Sequence, residues 1–162
     1  MHLTRQSHWS PARLLGLLLG LFIVLQLVPY GRAHANPPAA VEPQWDSPST
    51  RALFDRACAD CHSHRTKWPW YSNVAPVSWL VQNHVDEGRH KFNINTPGFG
   101  RDADEAASQV RKGAMPEKTY LPMHPEARLT DTERDQLIRG LQATFGGESE
   151  AGNGESGDND GD

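Results

Sequence analysis

Cys58, Ala59, Asp60, Cys61 and His62 constrain this chain more than any other residues, because C-x-x-C-H is the attachment pattern of c-type haem. The spacing has a mechanical reason. On a helical turn, residues three apart share a face, so both thiols can add to the two vinyl groups along one porphyrin edge. The adjoining imidazole then reaches the iron as proximal ligand. Competing uses fit less well. A thioredoxin-like C-x-x-C follows a strand and opens a helix in an α/β pattern, which is missing here. A structural zinc site drawn from Cys58, Cys61, His62 and His64 would crowd four ligands into seven residues. A plain disulfide leaves His62 without a role. The reading is therefore one covalent haem c, anchored by Cys58 and Cys61 and ligated by His62. These are also the only two cysteines of the chain, which excludes a multi-disulfide scaffold.

A length of 162 residues, 37% hydrophobic and 22% charged, holds one ordinary globular domain with appendages. The net charge of −4 hides a segregation: residues 1–35 carry three Arg and no acid, and residues 146–162 carry six acids and no base. Between them stand 13 basic and 14 acidic residues, with no basic stripe, so nucleic acid is not an expected partner.

Residues 1–35 read as an export signal or anchor. Arg5 and Arg13 precede the apolar run Leu14 to Val28, and residues 9–30 make a 22-residue stretch that could span a bilayer if Arg13 is included. Ala33-His34-Ala35 fits the small-x-small pattern of a cleavage site, which leaves a rival in which a soluble periplasmic chain begins at Asn36. Residues 36–47 form a Pro-rich extended spacer, 48–146 the haem-binding domain, and 147–162 an acidic tail with too few apolar side chains to repay ordering.

The domain is expected to be all-α, with about four helices and long loops. Ser47-Pro48 is a helix start, followed by Leu53, Phe54, Ala57, Cys58 and Cys61 on one side. A second helix is expected from Pro76 to about His90 and a third from Asp102 to Lys112, ended by Gly113. The last carries a T-x-x-E capping box at Thr130 and Glu133, an apolar face of Leu137, Ile138, Leu141 and Phe145, and a Gly146-Gly147 stop. No segment between 48 and 146 sustains period-two alternation.

The second face of the iron has candidates in Met115, Met123, His124 and His84. Met115 in Gly113-Ala114-Met115-Pro116 is preferred, because it follows a helix some fifty residues after His62 and Pro116 stiffens its loop. Simple core packing is its bland alternative, and His124 offers bis-His ligation instead. Trp68, Trp70 and Tyr71 either cover a flat macrocycle or close a small core. Arg65 and Lys67 are propionate partners or solvated charges.

These motifs, taken in order, resemble the small haem-binding domain family of bacterial envelope proteins. Beside the single C-x-x-C-H, that family shows a W-P-W-Y-S segment, an A-P-V-S-W-L helix start, an M-P loop and an H-P-E-A-R-L stretch. Here these are Trp68 to Ser72, Ala75 to Leu80, Met115-Pro116 and His124 to Leu129. The resemblance implies a cytochrome c-like all-α domain with covalent haem, commonly behind an N-terminal hydrophobic anchor. Many members have Met-Pro-Pro where this chain has Met115-Pro116-Glu117. The resemblance does not supply a reaction. Together the readings point to an inner-membrane-anchored, periplasm-facing monohaem cytochrome that transfers one electron at a time between envelope redox proteins, which is a carrier rather than an enzyme. The alternatives are a peroxidase-like haem enzyme or ligand sensor with an open distal site, and a haem-stabilised binding module.

Overall fold

Helical spacing of apolar residues without alternation leaves the chain only helices to build with. The computed structural model describes residues 10–146, and these contain six α-helices and no strand. They are α1 (Pro11–Leu25), α2 (Pro48–Ala57), α3 (Ala59–His62), α4 (Val77–Lys91), α5 (Ala106–Arg111) and α6 (Asp131–Phe145). Single 3-10 turns stand at Trp70–Asn73, Pro97–Phe99 and Pro125–Ala127. The all-α expectation is met, but six helices replace the expected four or so. One extra is α1, ahead of the expected domain. Another is α3: Cys58 has φ −130° and ψ −30°, which breaks the helix entering the C-x-x-C-H motif and makes residues 59–62 a separate turn. The tail at 147–162 lies outside the described residues.

The described residues form two compact units: residues up to Ala35 with Trp68–His84, and Asn36–Lys67 with the residues from Val85 onward. In the first unit, α1 runs for 15 residues from an N-cap at Ser10 and a Pro at its start. That is about 22 Å of helix at 1.5 Å per residue, against an apolar bilayer thickness of about 30 Å. Among the described residues no helix is long and apolar enough to cross a membrane. The expected anchor at residues 9–30 is therefore corrected, and with it the inner-membrane location, the membrane as a partner and the tethered carrier built on it; Trp9 itself lies outside the described residues.

The helix stops four residues before Pro29, which has no N–H to offer the Leu25 carbonyl, and Gln26 at its end is tied to residues further along. Its side-chain amide donates to the Ala75 carbonyl at 2.9 Å and accepts from the Ala75 N–H at 3.0 Å, while Arg32 bonds both its carbonyl and its side-chain oxygen. Beyond it, Gly31 turns at φ +78°, and a Cβ there would collide with the Ser78 carbonyl. His34 stacks on Trp68 with ring centroids 4.7 Å apart and contacts the Ser72 hydroxyl at 2.9 Å.

The second unit carries the main core. Leu53 and Phe54 of α2, Ala107 and Val110 of α5, and Leu137, Ile138 and Leu141 of α6 bury together with Phe92 and Ile94. Two of these helices, α2 and α6, are started by the sequence signal at their heads. Ser47 accepts from the Thr50 N–H to begin α2, and Thr130 accepts from the Glu133 N–H to begin α6, with the Glu133 carboxylate returning to the Thr130 N–H at 2.8 Å. Gly140 of α6 lies so close to the buried Thr50 of α2 that a Cβ would overlap its side chain, which fixes where the two helices cross. The third expected helix is shorter than 102–112. Its first residues turn instead, the Asp102 N–H bonding the Lys91 carbonyl at 3.1 Å. Residues 36–47 are extended, as their prolines require, yet docked: buried Asn95 donates to the Val41 carbonyl and the Glu42 carboxylate, and Trp45 packs on the core.

The capping box carries a test. Thr130→Ala is expected to cost about 1 kcal/mol, read by denaturant unfolding. The Thr130 N–H foremost, then Arg56 at 2.6 Å, hold the Glu133 carboxyl down to about 2. A carboxylate depressed on folding stabilises fully above its ordinary value of 4.5, and that stabilisation is lost as pH falls from there toward 2. In Glu133→Gln, which has no carboxyl to titrate, the acid-unfolding profile should therefore flatten over that window.

Candidate functional site

Cys58, Cys61 and His62 are positioned by one short helix and one irregular segment. Within α3 the Cys61 and His62 N–H groups bond the Cys58 carbonyl at 3.2 and 3.0 Å, so the turn closes on its own first cysteine. Buried Ser63 donates to the Ala59 carbonyl at 2.6 Å and ends it. Segment 92–95 then grips His62 at two points. The Ile94 N–H donates to the His62 carbonyl at 3.0 Å, and the His62 Nδ1 meets the Phe92 carbonyl at 2.8 Å. A carbonyl only accepts, so Nδ1 carries the proton of the neutral ring and Nε2 keeps its lone pair. A backbone carbonyl bonded to one ring nitrogen in this way is what commonly orients metal-binding imidazoles.

Burial pushes the His62 pKa down, partly offset by the Phe92 and Gly88 carbonyls, which favours the neutral ring. Burial also pushes both thiols up to about 12; the neighbouring Cys61 and Asp55 add to this at Cys58, and Asp60 and Glu117 at Cys61. The two cysteines form no disulfide. Above them, Gly88 of α4 leaves room for a very close approach: a Cβ at that position would sit 2.6 Å from the Cys61 carbonyl oxygen.

Met115 packs against the same core that Cys58 contacts. Its N–H and that of Ala114 both bond the Gln109 carbonyl, at 3.2 and 3.0 Å, hanging the loop from α5. His124 is engaged differently. Its ring stacks on Tyr120 with centroids 3.8 Å apart and planes 8° apart, and its Nδ1 lies 3.3 Å from Glu126. Tyr120 in turn donates to the Asp60 carboxylate at 2.7 Å, and burial first, then that bond, pushes its hydroxyl pKa up. Arg65 is spent on Glu42 and on Asp55 at 3.0 Å, and the Lys67 N–H bonds Asp60. Trp68, Trp70 and Tyr71 belong to the first unit, where Trp70 is 76% exposed. Met123 is exposed, and His84 lies in the first unit.

Phe92, Asn93, Asn95 and Tyr120 escaped the sequence reading. Asn95 accepts from the His64 N–H at 2.9 Å and its own N–H bonds the Asn93 side chain, so two buried amides brace the segment that holds His62. The one available signal was Asn93-Ile94-Asn95 before Pro97, polar residues that side-chain bonding to backbone could have explained.

An all-α module that brings two free thiols and a neutral, oriented imidazole together on one turn is a haem-binding protein by class. A family model described as Haem-binding domain matches residues 20–143, and the chain belongs to that family. No curated protein and no solved structure matches the chain.

Proposed function

We propose that the chain is a haem-stabilised binding module of cytochrome c-like fold, holding one haem c through thioethers at Cys58 and Cys61 with His62 as one axial ligand. The observation that carries this is the 2.8 Å contact between His62 Nδ1 and the Phe92 carbonyl, which leaves Nε2 as the ligating nitrogen. The residues present fit the group, since the two thiols and the imidazole are the donor set that covalent haem attachment needs. The haem supplies an iron whose second face a side chain or an external ligand can take.

Met115 is the proposed ligand on that face. Its backbone is hung from α5, its side chain lies against the core shared with Cys58, and His124 is committed to Tyr120 and Glu126. Haem also suits a fold in which residues 112–130, irregular but for one turn at Pro125–Ala127, have few buried apolar side chains of their own.

Visible spectra of the full chain, ferric and ferrous, with and without CO, test the reading. A covalent haem spectrum with a Met-to-iron charge-transfer band is expected, together with slow CO binding. Met115→Ala should erase the band and bind CO readily. Immediate CO binding by the wild type would replace this reading with an enzyme or sensor having an open distal site, and absence of haem would overturn it entirely.

A further inference from the structure

Resting on Met115 as the iron's second ligand, we infer that Tyr120 and Asp60 form a positioning pair that clamps the Met115 loop onto the attachment helix. Asp60 stands between the two cysteines within α3, and its carboxylate accepts from the Tyr120 hydroxyl at 2.7 Å. Tyr120 follows Met115 by five residues and closes a local turn in which its own N–H bonds the Glu117 carbonyl at 3.0 Å. Upstream, the Gln109 carbonyl holds the Met115 N–H. The loop is thus mounted at two points, α5 before the thioether and α3 after it.

The downstream mount is the stronger one. Its acceptor is charged, its donor is half-buried, and the stacked His124 ring, itself paired with Glu126, fixes the phenol plane. A thioether is a weak, neutral ligand, so its hold on iron depends on how little its loop can retreat. The same stacking explains why His124 serves here as a brace.

Tyr120→Phe in the full, haem-loaded chain removes one oxygen and keeps the ring that stacks on His124. Covalent haem and helical circular dichroism should be unchanged. The Met-to-iron band should weaken, and CO should bind the ferrous form about tenfold faster, the ratio a charge-assisted hydrogen bond supports. Asp60→Asn, which keeps an accepting oxygen, should preserve most of the band, whereas Asp60→Ala should lose it. A wild type with the band and a Tyr120→Phe variant with the same band and the same CO rate would overturn the clamp while leaving Met115 as ligand. A wild type lacking the band, unaffected by Met115→Ala, would instead remove Met115 and the clamp with it.

Discussion

The full chain with Cys58 and Cys61 both replaced by serine should show no haem stain after denaturing electrophoresis, while the wild type stains. A hydroxyl is close in size to a thiol but does not add to a vinyl group under the conditions in which thiols do, so no thioether can form. Haem held only by His62 is released when the polypeptide unfolds. Either single replacement leaves one thioether and should stain weakly. The stain reports the covalent bond after unfolding, so the comparison holds even though Cys58 also packs against the buried cluster. Persistent staining of the double variant would end the haem c reading, since no other pair of thiols exists in the chain.

Gly88→Ala should destabilise the protein although it stands inside a helix. In an isolated helix the change gains up to about 1 kcal/mol. Here the new Cβ would meet the Cys61 carbonyl oxygen at 2.6 Å and its carbonyl carbon at 3.1 Å, both backbone atoms that cannot rotate aside. Overpacking of this kind costs about 1–3 kcal/mol, so the sign reverses. A net loss of up to about 2 kcal/mol lowers the thermal midpoint by up to about 15 °C in a domain of this size. Because the atoms displaced belong to the attachment turn, the haem stain per mole of chain should fall as well. Gly16→Ala is the control: it lies in α1 with nothing within 4 Å of its Cβ, and should be neutral or mildly stabilising. Equal behaviour of the two variants would show that the crossing of α4 over α3 is not tight.

Local signals were legible wherever a residue acts on its own neighbours. Ser47-Pro48 and the Thr130–Glu133 box each start a helix at the expected place, because capping bonds join residues only three apart. The apolar faces of α2 and α6 follow from spacing for the same reason. Length of an apolar run was a poorer guide. Residues 9–30 read as a span, yet α1 ends at Leu25, where the Gln26 amide and Arg32 take over from helical bonding through contacts reaching 49 residues ahead. Pro29, four residues after Leu25, is the local part of that stop, and the bonds to Ala75 are the part a short window does not show.

The sequence by itself determined the chemistry on offer: two thiols three apart, an imidazole beside them, a helical protein and a thioether in a Pro-stiffened loop. Only the tertiary structure decided which nitrogen of His62 carries the proton, because the Phe92 carbonyl that accepts from Nδ1 lies thirty residues away. It likewise committed His124 to Tyr120, and Tyr120 to Asp60 sixty residues earlier. Composition and spacing specify what a side chain can do. Which partner it meets depends on the packing of segments distant in the chain, where one carbonyl or carboxylate at 2.7–2.8 Å selects a single tautomer or rotamer from several that the isolated sequence leaves equal.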